Sequence, residues 1–320
     1  MKILMFGRGV ITTIYGWAFS GAGHEVTYLV RPGKSASLGG KLSIDMLDGR
    51  KNPKGERRFE SFNVNCVENL DDLADFDLVV VGVRQDQMRA AAEQLRAASR
   101  PRKGILFFNN CWEDPYAISA LFAPSEVIWG FPMAGGGFEG DKTLKAAITS
   151  KVHLAVGGKD NAALHAACME LFSSAGLTVE QRPDFRAWQW LHFAVNASMI
   201  AEAMTLKGGA EELLSSRKAL SDASLIVREA VQVVYAKGID PAVEKGEAVL
   251  ATLPAFFAGA MVKRMAQSNP VTRRLMTIKA KPRDLAQYPL SLIEDARRLG
   301  VSCPRLFAAE AKIREVAGAN

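Results

Sequence analysis

Apolar positions in the first half of the chain come in short runs separated by glycine-rich or charged stretches. Each run is shorter than a helix needs. KILMF (2–6), HEVTYLVR (24–31), DLVVVGV (77–83), GILFFNN (104–110), EVIWGF (126–131) and VHLAVGG (152–158) read as strands. Helical character runs from the residues after Gly9 up to Gly21–Gly23, and again over 85–98 and 113–122, whereas 138–151 reads as hairpin strands. This alternation predicts an α/β domain with a mostly parallel sheet. From about residue 186 the strand signals stop. The segments 186–206, 217–237, 241–252, 254–267, 283–299 and 304–317 read as helices, with Gly238 and Gly300 as C-terminal caps and Pro254 and Pro304 as starts. The boundary is expected in GLTVEQRPDFR (176–186), giving domains 1–183 and 184–320. No internal repeat or low-complexity linker interrupts this order, and a cleft between two such domains is a common place for a substrate.

The turn after the first strand carries chemistry. GRGVIT (7–12) stands between a strand and a helix, and a second strand follows within about 30 residues, the context of a dinucleotide-binding fingerprint. Gly7 would make the tight turn and Gly9 would let the backbone approach a pyrophosphate. The helix start at Val10 and Ile11 would supply N–H groups and positive potential. The third glycine of G-x-G-x-x-G is Thr12 here, a small residue at a position that serves helix–strand packing. An NAD site usually has a carboxylate at the end of the second strand. This strand ends in Val30-Arg31 and continues Pro32-Gly33-Lys34, which offers two cations and no carboxylate, so NADP is favoured over NAD. Arg84, Gln87, Asn109 and Asn110 fall at the ends of later strands, where ligands lie in such sheets.

Composition narrows the class further. The 320 residues are 48% hydrophobic and 23% charged, which fits a globular chain with a sizeable core. The net charge of +6 is spread along the sequence, with short local excesses such as Arg57-Arg58 and Arg273-Arg274, so no nucleic-acid patch is expected. Cys66, Cys111, Cys168 and Cys303 form no C-x-x-C pair, and His24, His153, His165 and His192 form no metal-ligand cluster; reduced thiols and no metal are expected. Gly7, Arg8 and Gly9 break the N-terminal apolar run where a signal peptide would need continuity, and no stretch reaches membrane-span length. The expectation is a cytoplasmic protein.

WLHFAVN (190–196) raises a different question. His192 and Asn196 lie four apart in an apolar helix, so they share a face one turn apart. A buried histidine needs only one hydrogen-bonding partner, and the surrounding Trp188, Trp190, Phe193 and Val195 favour that plain role. The alternative is a proton donor.

These motifs together resemble the ketopantoate reductase family of NADPH-dependent 2-oxoacid reductases, along nearly the whole chain. GRGVIT with Tyr15-Gly16 resembles that family's nucleotide loop, and LVR ending at Arg31 its NADPH-selecting strand end. VRQDQ (83–87) resembles its V-K-x-x-Q segment, with Arg84 at the usual lysine. FFNNCW (107–112) resembles its Asn-Gly turn, with Asn110 on the asparagine and Cys111 in place of glycine. RAWQWLHFAVN (186–196) resembles the R-A-x-x-W-x-K-L-x-x-N helix without a gap. Asn196 falls on an asparagine used near the substrate and His192 on the lysine used as proton donor, while a further asparagine is Ile200 here. KPRDLAQYPLSLIEDARRLGVSCP (281–304) resembles the helix beginning T-E-I-D, with Asp284 on the substrate-binding glutamate. The serine-rich segment upstream is replaced by Pro270-Val271-Thr272-Arg273-Arg274.

The resemblance implies an α/β Rossmann-like N-terminal domain and an all-α C-terminal domain of 6-phosphogluconate dehydrogenase-like architecture. The second domain would serve substrate binding and dimerisation. It implies NADP(H) held at Gly7, Arg8, Gly9, Val10, Ile11, Arg31, Lys34, Arg84 and Asn110. His192, Asn196 and Asp284 would be catalytic, with Asn196, Asp284 and Arg273 holding a small anionic carbonyl substrate. Asp284 would help to keep His192 charged, although an aspartate at a helix start is also an ordinary N-cap. Neither nucleic acid nor membrane is an expected partner; a homodimer is a candidate assembly. Because lysine has become histidine and glutamate aspartate, three activities stay open: an NADPH-dependent 2-oxoacid (or related carbonyl) reductase, an opine-type or 3-hydroxyacid dehydrogenase, and a non-catalytic NADP-binding sensor.

Overall fold

Continuous apolar strands belong in a sheet covered on both faces, and the chain places them there. The computed structural model describes residues 1–71, 73–98, 103–140, 142–240, 242–244, 246–278 and 280–318. The chain divides into two compact units, Met1–Phe185 and Arg186–Asn320.

In the first unit β1 (Lys2–Phe6) is the centre of a parallel set, flanked by β2 (Glu25–Leu29) and β5 (Leu78–Val81). The hairpin of β3 (Gly40–Asp48) and β4 (Glu56–Val67) extends the sheet beyond β2. On the other side β6 (Ile105–Phe108), β7 (Val127–Glu139), β8 (Thr143–Ala155) and β9 (Thr178–Arg182) follow β5. The order among the described residues is β3-β4-β2-β1-β5-β6-β7-β8-β9, and β3 also pairs in parallel with the first half of β8. The helices are α1 (Val10–Gly21), α2 (Ser35–Leu38), α3 (Met88–Ala97), α4 (Pro115–Ser119) and α5 (Ala162–Ser174). α1 and α5 bury aromatic side chains on the sheet. Tyr15 meets Phe108 edge-on at 4.6 Å between ring centroids, and Phe19 lies 5.9 Å from Phe172. The β7–β8 hairpin occupies the stretch read as hairpin strands. The β3–β4 hairpin and α5 were not read from the sequence. β4 (ERRFESFNVNCV) is mostly exposed; only Phe62, Val64 and Cys66 alternate toward the core, and its charged first half is held by pairing with β3.

The second unit is helical: α6 (Phe185–Thr205, entering from the last residue of the first unit), α7 (Gly209–Ser215), α8 (Arg217–Ala236), α9 (Val249–Thr252), α10 (Ala255–Ser268), α11 (Pro270–Thr277), α12 (Pro282–Arg298) and α13 (Pro304–Gly318). α8 is its axis, touching α7, α9, α10, α12 and α13 and burying Leu220, Val227, Val231 and Val234. Gly238 (φ +93°) and Gly300 (φ +67°) end their helices in the left-handed conformation, and Pro254 and Pro304 stand at helix starts. The expected helix 241–252 is corrected to α9 alone. Pro241 and Lys245 lie outside the described residues, the rest of 242–248 forms turns, and Glu244 takes φ +53°, which no helix accommodates. α7 and α11 went unread; α11 begins where the Asn269 side chain accepts from the Thr272 amide at 3.0 Å.

Lys237, just past α8, reaches Asp295 of α12 at 2.8 Å, and both side chains are nearly buried. The Lys237 ammonium also lies 4.3 Å from the centroid of the Trp190 ring on α6. One cation thus ties three helices. Burial alone would raise the Asp295 pKa, but hydrogen bonds from Lys237 and Arg298 outweigh it and hold the carboxyl below its ordinary value. A depressed carboxylate stabilises the fold above its unfolded-state pKa and loses that contribution as pH falls through the folded value. Lys237→Met should therefore cost on the order of 2 kcal/mol at neutral pH. The deficit relative to wild type should shrink below about pH 4, where a free carboxylate protonates, as read by urea melts across pH.

Candidate active site

Gly7 follows β1 with φ +89°, a conformation glycine alone takes freely, and its amide donates to Leu29 O at 3.0 Å. The space a Cβ would fill there is open. The chain then turns into α1, whose N-cap is Gly9. The Thr12 hydroxyl accepts from the Gly9 amide at 2.9 Å and donates to Gly9 O at 3.2 Å. The amides of Val10, Ile11 and Thr12 lie in the first turn, where no intrahelical acceptor exists, and no acidic residue stands there. Arg8 leans over the Phe138 ring of β7, 5.1 Å from its centroid.

Thr12 is fully buried, and the structure gives a physical reason why it can replace glycine. A Cβ on Gly82, just past β5, would lie 2.9 Å from the Thr12 methyl. The space that a glycine on the helix would leave is left instead by a glycine on the facing strand. Gly82 is a residue that sequence reading passed over, although its place at the end of DLVVVGV was the available signal.

Arg31 and Lys34 are exposed in the turn after β2, closed by a Lys34 N to Arg31 O bond of 3.1 Å. The expectation that this loop has no carboxylate is corrected. Glu68, the residue after β4, accepts from the Gly33 amide at 2.9 Å and from the Ser35 amide at 2.8 Å. The Ser35 hydroxyl, then the Gly33 and Ser35 amides, lower its pKa to about 2. The sequence hid this because Glu68 is remote from the loop and its strand was not recognised; Val30 N to Val67 O at 2.8 Å brings it alongside.

At the neighbouring strand ends, Arg84 is held by both oxygens of Asp86, at 3.0 and 2.8 Å. Asn109 is buried and donates to Val83 O at 3.2 Å. The Oδ1 atoms of Asn109 and Asn110 are buried without a protein hydrogen-bond partner among the described residues. Orphaned acceptors beside an open glycine turn and uncommitted helix amides fit a dinucleotide bearing a carboxamide and ribose hydroxyls. Among the described residues no three His, Cys, Asp or Glu side chains gather as metal ligands.

In the second unit, α6 carries paired side chains one turn apart. The Arg186 guanidinium lies 5.5 Å from the Trp190 ring, and Trp188 stacks on His192 at 4.9 Å with 19° between planes. His192 and Asn196 are both partly exposed, on a stripe with Val195 and Ile200, while Leu191, Phe193, Ala194 and Ala197 are buried. The polar pair therefore marks the open side of the helix. His192 Nδ1 lies 2.8 Å from Glu247 Oε1. Glu247 sits in the turns before α9, and nothing local in the sequence points to it. Phe193 stacks on Tyr288 at 5.0 Å, which brings the start of α12 to α6. Asp284 stands one turn before Tyr288. It is not the N-cap of α12, which is Lys281, but a partly exposed residue of the first turn. Arg273 is exposed and paired with Glu211 at 2.9 Å, so it is not gathered with His192 by any bond seen here.

A Rossmann-like unit with a glycine turn between its first strand and first helix is followed by a helical unit. Residues 3–158 match the family model described as Ketopantoate reductase PanE/ApbA. That match covers just under half of the chain, and over its whole length the chain shares a fold with solved ketopantoate reductases. It is similar in structure to D-mandelate dehydrogenase in a ternary structure with NADH and anilino(oxo)acetate, at a TM-score of 0.75 and 15% identity over 100% of this chain and 99% of that one. It is similar to the PanE/ApbA family ketopantoate reductase from Ralstonia eutropha JMP134, at 0.68 and 18% over 100% and 99%. It is also similar to the dimeric ketopantoate reductase from Staphylococcus aureus, at 0.64 and 11% over 98% and 100%. Among curated proteins no match is found.

The Thr12–Gly82 exchange has a direct test. Gly82→Ala should destabilise the first unit by about 1–3 kcal/mol through overpacking. Thr12→Ser, which keeps the bond to Gly9 and removes the methyl, should recover most of that loss in the double variant. Denaturant melts of both single variants and the double one read the coupling; additive losses would refute the exchange.

Proposed function

We propose that this chain is an NADPH-dependent reductase of a 2-oxoacid or related carbonyl compound, ketopantoate reductase-like, with His192 in place of the family's lysine. The observation that carries the reading is an imidazole on the open face of α6, held flat by Trp188 and hydrogen-bonded through Nδ1 to Glu247. Ketone reduction puts negative charge on the carbonyl oxygen, which needs a proton or hydrogen bonds in the transition state. With Nδ1 turned to Glu247, Nε2 is the nitrogen that delivers the proton, and Glu247 orients the ring. Asn196, one turn on, and Asp284, on the first turn of α12, orient the substrate. Arg273 reaches a substrate carboxylate only by releasing Glu211.

The cofactor supplies the hydride when bound. Gly7, Arg8, Gly9, Val10 and Ile11 receive its pyrophosphate, and Arg31 and Lys34 the 2′-phosphate. Arg84 and Asn110 meet its nicotinamide half. In this reading residues 1–183 bind NADP(H), and residues 184–320 bind substrate with the 6-phosphogluconate dehydrogenase-like helical architecture. The second domain also forms a homodimer, for which α10 leaves Phe256, Phe257, Met261 and Met265 exposed. We assign the protein to the cytoplasm; among the described residues no helix is long and apolar enough to cross a membrane.

NADPH oxidation with a panel of 2-oxoacids, with and without amines, tests the reaction. Turnover of an oxoacid alone is expected, turnover only with amine would make the chain an opine-type enzyme, and none would make it a sensor. On the substrate so found, His192→Gln should lower kcat about a hundredfold or more. Unchanged kcat in His192→Gln would return the residue to a packing role. In the cofactor site, Arg31→Ala should weaken NADPH but not NADH.

A further inference from the structure

We propose that Glu68 is a cofactor-specificity residue, an internal anion seated in the β2–α2 loop that competes with the 2′-phosphate of NADP(H) and leaves NAD(H) unhindered. The inference rests on the nicotinamide-cofactor reading above. The end of β2 is where Rossmann-like sites meet the adenosine ribose. β4 runs beside β2 past its last residue, so Glu68 arrives at the 31–35 loop from a strand more than thirty residues away in sequence. One carboxylate oxygen takes the Gly33 amide and the other the Ser35 amide, at 2.9 and 2.8 Å. Hydrogen bonding from the Ser35 hydroxyl and these amides holds the group well below the usual carboxylate range, so it is charged at every physiological pH.

Two opposite signs therefore meet in one loop. Arg31 and Lys34 stand exposed in the same loop and would draw a phosphate. A phosphate on the ribose would find two of the loop's amide donors already occupied and a like charge beside it, which repels. A plain 2′-hydroxyl brings no charge and can donate to a carboxylate. Glu68 thus gives the loop in the free protein much of what a bound phosphate would give it: satisfied amides and a negative charge. Its effect falls on one substituent of the ribose and not on the rest of the dinucleotide.

The test is calorimetric titration of wild type, Glu68→Gln, Glu68→Ala and Arg31→Ala with NADPH, NADH and the fragments 2′,5′-ADP and 5′-AMP. Glutamine keeps the shape and an acceptor for one amide while removing the charge. It should tighten NADPH and 2′,5′-ADP by about three- to tenfold, with NADH and 5′-AMP within about twofold of wild type. The gain should shrink with added salt, because the charges are solvent-exposed. Glu68→Ala should move the NADPH-to-NADH ratio in the same direction even if the loop loosens and overall affinity falls. An unchanged ratio in both Glu68 variants, while Arg31→Ala loses NADPH alone, would overturn the role of Glu68. Absence of binding by any nicotinamide cofactor or fragment to wild type would overturn the cofactor reading, and this inference with it.

Discussion

How closely α1 can approach the strand ends governs the nucleotide end of this molecule. Helix amides act on a phosphate only if the helix begins immediately after the turn and lies against the sheet. The turn is given by Gly7 in its left-handed conformation. The approach depends on one methyl group, that of Thr12, fitting where Gly82 has no side chain. Because Thr12 also hydrogen-bonds Gly9 in both directions, the residue that fills the gap also fixes the N-cap. Packing and anion-binding geometry are here one constraint, carried by facing positions on two elements rather than by a glycine triplet on one.

The two units handle polar groups by contrasting means. At the end of β2 the cations are exposed in a loop whose amides are held by a carboxylate. On α6 the groups are half-buried, and orientation dominates. Trp188 fixes the plane of His192, Glu247 fixes its rotation, and Asn196 shares its open stripe. Trp190 is flanked by Arg186 and by Lys237, whose ammonium is shared with Asp295. The aromatic residues of RAWQWLHFAVN thus act chiefly as flat supports for the cationic or ionisable side chains near them.

What the sequence discloses follows from how local each cause is. β1, β2, β5 and β6 are apolar because both faces are buried, and helices such as α8, α12 and α13 carry their own caps and apolar stripes, so periodicity found them. β4 is charged over its first half and alternates toward the core only at Phe62, Val64 and Cys66, too short a run to stand out, and Glu68 is hidden with it. The consequence was a wrong statement about charge: the 31–35 loop reads as purely cationic along the chain and is not so in space. His192 also has a carboxylate partner that no motif signals, Glu247, 55 positions from the histidine. The stretch around Glu247 reads as a helix; a left-handed Glu244 makes it a set of turns instead, and those turns present Glu247 to His192. Motif spacing carried the glycine turn and the α6 pair well, since both lie within a few residues of chain.

The pairing of β3 with β8 gives the first unit a property beyond its binding site. Ser43 aligns with Thr143, a hundred positions later, and the ladder continues to Asp48 and Ile148. With β4 on its other side, β3 keeps neither edge open from Ser43 to Asp48, and the edge of the hairpin passes to β4, which meets β2 only over residues 65–67 and carries Glu56, Arg57, Arg58 and Glu60 before it. The protection arrives late. Until the segment around 143–148 has emerged from synthesis and found its register, the β3–β4 hairpin carries an unpaired edge. Long-range parallel contacts also form slowly, because loop closure must precede any gain from the ladder. The nascent chain thus passes through an interval in which β3 is open to a foreign strand, as it is not in the finished form, and the demand for help in folding falls on that interval.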